Sequence, residues 1–229
     1  MKKVSVFFIA VMATLSGFAQ TEKAGSFGTE LYLKPWNTNE TFSLIDGAKV
    51  RYFFTEELAV RASLNFYNNT TTEFSYVNNG SKDIETKKTN SYSNFGIAPG
   101  LEYHLFSTEK LSIYVGAQLS ADFRNASYNE ENDDNDVKIT KKGANSNGDF
   151  SGFTLGAGIF TGIDYYVISN RLYIGAELGL GYETFSSSEI VTKTTNGSGT
   201  TTENKVKDYV RDSRLGFYCL PSVRLGWNF

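Results

Sequence analysis

RLGFYCLPSVRLGWNF, residues Arg214 to Phe229, is the stretch that decides how this chain folds. Every second residue from Leu215 is apolar: Leu215, Phe217, Cys219, Pro221, Val223, Leu225, Trp227 and Phe229. The residues between them are mostly small, polar or charged. A period of two is the pattern of a β-strand with one apolar and one polar face. Strands in soluble sheets usually run about five or six residues, and this one is far longer. A soluble protein turns the apolar face of such a strand onto a core. A transmembrane barrel turns it to lipid and turns the polar face into the lumen.

The rest of the chain supplies partners. Alternating segments are read over 25–34, 41–54, from Leu58 through Phe66, from Phe95 to Leu105, 111–124, 153–167 and 172–182. With the terminal stretch they make eight strands. Leu111 to Arg124 alternates most cleanly. Asp46 breaks the parity of its strand, which predicts a bulge near Asp46 and Gly47. Three segments recur: Gly47 to Tyr52, Gly100 to Tyr103 and Gly162 to Tyr165. Each leads through a few residues to a Leu that opens the next strand (Leu58, Leu111, Leu172). Long polar connections at 78–89, 125–148 and 186–207 separate these hairpin ends. Short and long connections in alternation mark an outer-membrane barrel, with turns in the periplasm and loops outside.

Aromatic positions sort by height in that frame. Tyr52, Phe54, Tyr103, Tyr165, Trp227 and Phe229 lie near the short turns. Phe74, Tyr76, Tyr92, Phe95, Phe123, Phe153 and Tyr182 lie toward the long connections. Two aromatic girdles at two interfaces are expected.

Met1-Lys2-Lys3, the apolar run Val4 to Leu15 and Gly17-Phe18-Ala19 have the layout of a cleaved signal peptide over 1–19, leaving a single barrel domain over 20–229. The apolar run falls short of the roughly 20 residues that span a bilayer as a helix. The whole chain has 22 basic and 25 acidic residues, so without Lys2 and Lys3 it has 20 and 25, a net charge near −5. That balance excludes the basic footprint of a nucleic-acid binder. Cys219 is the only cysteine, so no intramolecular disulfide forms, and its parity makes it a small lipid-facing residue. One His and one Cys provide no zinc set.

These features together resemble small outer-membrane barrels of the OmpA/OmpX type. More narrowly, the chain resembles the porin-family "outer membrane protein beta-barrel domain" proteins of Bacteroidetes-like bacteria. The resemblance implies residence in the outer membrane among its lipid and lipopolysaccharide. It also implies that the barrel-assembly machinery reads the terminal strand, with Trp227 and Phe229 as its signal.

Candidate chemistry lies on the inward parity. Acidic members are Glu30, Glu102, Asp122, Asp164, Glu177 and Glu183. Basic members are Lys34, Lys49, Arg51, Arg61, Arg124, Arg214 and Arg224. Buried charge left unpaired costs several kcal/mol per ion, so a balanced set reads as salt bridges that fill a narrow lumen. Glu30, Lys49, Arg51, Arg61, Glu102, Asp164, Glu177 and Arg224 fall in the half near the short turns and form the expected network. The alternative use of such residues is a selective pore or proton relay. His104 is a lumen residue at the same end. Gly156, Gly158 and Gly162 make room for other side chains. The acidic run Asn129 to Asp136 reads as a solvated loop that lacks the spacing of a calcium site, although its acidity could bridge lipopolysaccharide phosphates through divalent ions.

No cofactor is expected. The leading functional expectation is a non-enzymatic structural or surface-interaction barrel that meets an extracellular partner through its long loops. A narrow porin-like channel is the alternative, and an outer-leaflet lipid-modifying enzyme comes third.

Overall fold

The computed structural model describes residues 24–33, 45–78, 83–108, 110–133, 136–168, 171–207 and 210–228. The signal-peptide reading over 1–19, Lys34 and Phe229 lie outside the described residues, and Arg224 and Cys219 are described by backbone alone. The described chain is all strand: β1 (Phe27–Leu33), β2 (Ile45–Phe53), β3 (Leu58–Asn78), β4 (Asp83–Ser107), β5 (Leu111–Asn132), β6 (Val137–Lys142), β7 (Gly152–Ile168), β8 (Leu172–Ser187), β9 (Ile190–Thr195), β10 (Thr201–Val206) and β11 (Arg211–Asn228). All the pairings are antiparallel, within one eleven-stranded sheet.

The strand count is therefore eleven rather than eight. The polar stretches read as long loops are largely strand. β3 and β4 stay paired out to Asn78 and Asp83. β5 continues against β4 to Asn132, and β6, β9 and β10 extend the same sheet from its outer part. These segments carry Thr, Asn, Ser and charge on both faces, so no apolar period marks them. Cross-strand bonding satisfies their backbone groups all the same.

The other eight strands are those of the apolar alternation. β5 uses Leu111 to Arg124 to pair with β7, and β11 pairs with both β8 and β1. Followed through β5 and β7, the pairings of β1, β2, β3, β4, β5, β7, β8 and β11 return to β1.

Two irregularities follow from sequence. Tyr32 pairs with Gly47 and Leu33 with Ile45, which leaves Asp46 as the extra residue of a bulge. On β11 the register jumps between Leu220 and Arg224 while β8 advances only from Glu177 to Gly175. Pro221 sits in that gap, where a residue without an N–H removes no ladder bond. Two extra residues preserve the parity of the strand, so its alternation in sequence runs through the irregularity unbroken.

Burial is inverted relative to a soluble sheet. Leu119 is 64% exposed and Phe217 81% exposed, whereas Arg51 is 1% and Glu102 0% exposed. Phe66, Phe95, Phe123 and Phe153 pair in a single row across β3, β4, β5 and β7, and the Phe123 and Phe153 rings lie 4.8 Å apart. Tyr52, Phe54, Tyr103 and Tyr165 stand exposed at the opposite end, beside the short turns. From Phe95 to Tyr103 is roughly 27 Å along the strand, or about 20 Å of height after the usual tilt, close to the apolar band of an outer-membrane barrel. The expected far girdle is corrected in two places. Phe74 and Tyr76 lie on β3 well beyond this row, and Tyr92 faces an inner cavity.

Candidate functional site: a buried charge cluster

Seven of the eight predicted network residues come together. Glu30, Lys49, Arg51, Arg61, Glu102, Asp164 and Glu177 are between 0% and 4% exposed. They stand on β1, β2, β3, β4, β7 and β8, where the period of two turns each one away from the apolar face. Arg224 has its backbone between Tyr32 and Gly175, and its side chain lies outside the described residues.

The bonds run continuously through the set. Lys49 Nζ lies 2.8 Å from Glu30, 3.4 Å from Glu102 and 3.8 Å from Glu177. Arg51 donates to Asp164 from both terminal nitrogens at 2.9 Å and also pairs closely with Glu30. Its Nε lies 3.4 Å from Glu102. Arg61 reaches Glu102 at 2.9 Å and Glu177 at 2.7 Å, and donates to Gln118 at 2.5 Å. Each carboxylate of the set meets at least one cation, and Glu102 meets three.

Aromatic faces complete the cations' surroundings. The Arg51 guanidinium lies 5.3 Å from the Tyr114 ring centroid and 5.1 Å from that of Tyr173. Arg61 lies 3.4 Å over Phe160. Such contacts strengthen when water is excluded. Glycine makes the room: a Cβ on Gly162 would run into the Tyr114 ring, and one on Gly116 into Phe160. This is the space-making role read for Gly162 in the sequence.

His104 joins the cluster with partners that no sequence spacing revealed. Its Nδ1 lies 2.7 Å from Ser112 Oγ, and its Nε2 lies 3.6 Å from Glu102 Oε2. Serine, histidine and carboxylate stand here in the order of a nucleophilic triad. A nucleophile must meet substrate, however, and Ser112 is 0% exposed. The carboxylate also serves three cations already, which leaves it little capacity to orient a histidine. The arrangement packs and holds these polar groups within the cluster. Gln118 and Ser112 were the missed participants. Both have inward parity on the cleanest strand, so parity alone could have found them.

The remaining inward charges stand elsewhere. Asp122 accepts from Asn65 at 3.3 Å and from Asn94 at 3.5 Å. Arg124, Glu183 and Arg214 line a separate cavity of about 250 Å³ toward the far end. The acidic run is held by lysines: Glu130 lies 3.9 Å from Lys88 and Glu131 lies 2.5 Å from Lys138. Among the described residues no group of three or more His, Cys, Asp or Glu is placed to hold a metal ion.

Comparison with known proteins gives one family. The model described as "Putative OmpA-OmpF-like porin family" matches residues 33–194. No curated protein matches. Among solved structures, a major outer membrane protein from Thermus thermophilus is similar at 12% identity, over 90% of this chain and 100% of that one, with a TM-score of 0.43.

Proposed function

The chain belongs to the Putative OmpA-OmpF-like porin family and resides in the outer membrane, and from that premise we propose that it is a non-enzymatic barrel whose lumen is plugged. In this reading the eight apolar-patterned strands span the bilayer, with the short turns in the periplasm and the extended strands outside. The single observation that carries the plug is the ion-pair set of Lys49, Arg51 and Arg61 with Glu30, Glu102, Asp164 and Glu177. Eight strands leave an interior just wide enough for side chains to fill. Seven charged side chains, with Tyr114, Tyr166 and Tyr173 buried beside them, occupy that interior near the short turns.

The extended β3, β4, β5, β6, β9 and β10 then form the surface the cell presents outward, to lipopolysaccharide or an extracellular partner. Assembly through the terminal strand belongs to the same reading. A narrow porin-like channel is the second reading, favoured by the family to which the chain belongs. Planar-bilayer recording separates the two. The plug requires the absence of steady conductance from the refolded full chain. Continuous conductance altered by Arg61→Ala would replace the plug with the channel.

A further inference from the structure

Above the plug lies a second built site that this function does not use. On β8, Glu183 stands six residues beyond Glu177, roughly 20 Å along the strand. Arg124 and Thr154 directly follow Phe123 and Phe153, so the cavity sits at the level of the far aromatic row. Five barrel strands, β4, β5, β7, β8 and β11, and the segment around Asp149 converge on it.

Its polar groups are poorly satisfied from within. Thr154 is 2% exposed, and its Oγ1 has no hydrogen-bond partner. Arg124 lays its guanidinium 4.9 Å from the Phe185 ring centroid, while its buried Nε also has no hydrogen-bond partner. Arg214 is engaged by Asp212 at 2.7 Å, and Asp149 accepts from Asn145 at 2.8 Å. Arg124 and Glu183 form no ion pair among the described residues: Glu183 is exposed, and Arg214, opposite it in the register of β8 and β11, turns to Asp212 instead. Register keeps Arg124 and Glu183 from each other. Arg124 is opposite Gly152 and Glu183 is opposite Gly156, an offset of about 13 Å along β7. Arg124 and Glu183, held apart at the half-open mouth of one cavity beside an idle hydroxyl and aromatic faces, are arranged to meet across a ligand.

We propose that this cavity binds a small zwitterion of amino-acid size. Arg124 and Thr154 take its carboxylate, Glu183 takes its ammonium, and Phe185 and Tyr92 flank its hydrocarbon part. The volume is below the roughly 300–1,000 Å³ of sites for drug-sized ligands, which sets the size class. A metal ion is the poorer occupant, because no three ligating side chains converge there. The site binds from the far end and needs no passage through the lumen.

Titration of the refolded full chain with a panel of free L-amino acids, followed by calorimetry or ligand-observed NMR, tests this. At least one should bind at millimolar concentration or below. Its N-acetyl and carboxamide forms should each bind at least tenfold more weakly. Glu183→Gln should remove the preference over the N-acetyl form, and Arg124→Gln the preference over the carboxamide. If Arg124→Gln does not fold, the blocked ligands on the wild-type chain still decide. Absence of binding by the whole panel overturns the proposal, as does binding indifferent to both blocking groups.

Discussion

Arg61 and Glu177, 116 residues apart in sequence, form a two-pronged ion pair, with Nη1 2.7 Å from Oε2 and Nη2 3.0 Å from Oε1. Fork-to-fork bonding of this kind is the strong form of a charge-assisted hydrogen bond. It ties β3 to β8 across the interior, and Glu102 on β4 shares the same guanidinium. A pair so placed makes the residues mutually dependent, because removing either one strands a buried charge.

Arg61→Ala should therefore destabilise the barrel by about 3–5 kcal/mol, the cost of breaking a fully buried pair. Replacing Arg61 and Glu177 together with apolar residues of similar volume should cost less than the single change. Urea unfolding of protein refolded in liposomes measures both. Equal stability of Arg61→Ala and wild type would remove the pair from the account of stability.

The outward face should reject charge according to depth. Leu119 lies on β5, midway between Phe123 and Val115, and is 64% exposed. Leu119→Arg should cost about 2–4 kcal/mol, and an Arg at Phe54, beside a short turn, much less. Folding yield in liposomes is the readout. An Arg at 119 that folds as well as wild type would refute the outward parity of β5.

Deleting Phe229 should lower outer-membrane yield in cells more than it lowers the stability of purified, refolded protein. Trp227 is half-buried and pairs with Thr29 and Leu172, so the last strand keeps its barrel neighbours without Phe229. Comparison of cellular yield with unfolding midpoint separates assembly from stability. Unchanged cellular yield would count against the terminal-strand signal.

The outer strands β6, β9 and β10 should respond to pH. Hydrogen bonds from Lys193 and Lys205 hold the Glu203 carboxyl below its ordinary value of 4.5, and the Lys138 hydrogen bond does the same for Glu131. Because the folded value is the lower one, these groups favour the folded sheet above pH 4.5. That contribution is lost as pH falls through the folded value. Lys205, raised by its hydrogen bond to Glu203, contributes below its ordinary value of 10.5 and loses that contribution only at higher pH. Hydrogen exchange at β9 and β10 should therefore quicken, beyond its intrinsic pH dependence, as pH falls below 4.5 but not between pH 6 and 9. Protection indifferent to acid would show that these exposed pairs contribute nothing measurable.

The strands that carry an apolar period, their parity, the bulge at Asp46 and the inward side of seven clustered charges were all readable from sequence. The reason is local: a pleated strand sends alternate side chains to opposite faces, and one face here must be apolar. The outer lengths of β3, β4 and β5, with β6, β9 and β10, were not readable. Their two faces are both polar, so no period distinguishes strand from loop until a partner strand is in register. Only the tertiary structure decided which charges meet. Lys49, Arg51 and Arg61 have the same parity as Arg124 and Arg214, yet the first three bond within one cluster and the others line a separate cavity. Height in the barrel separates them, and height depends on register between strands more than a hundred residues apart. The same register brought Ser112 against His104 and kept Arg124 from Glu183, relationships that no spacing along a single chain contains.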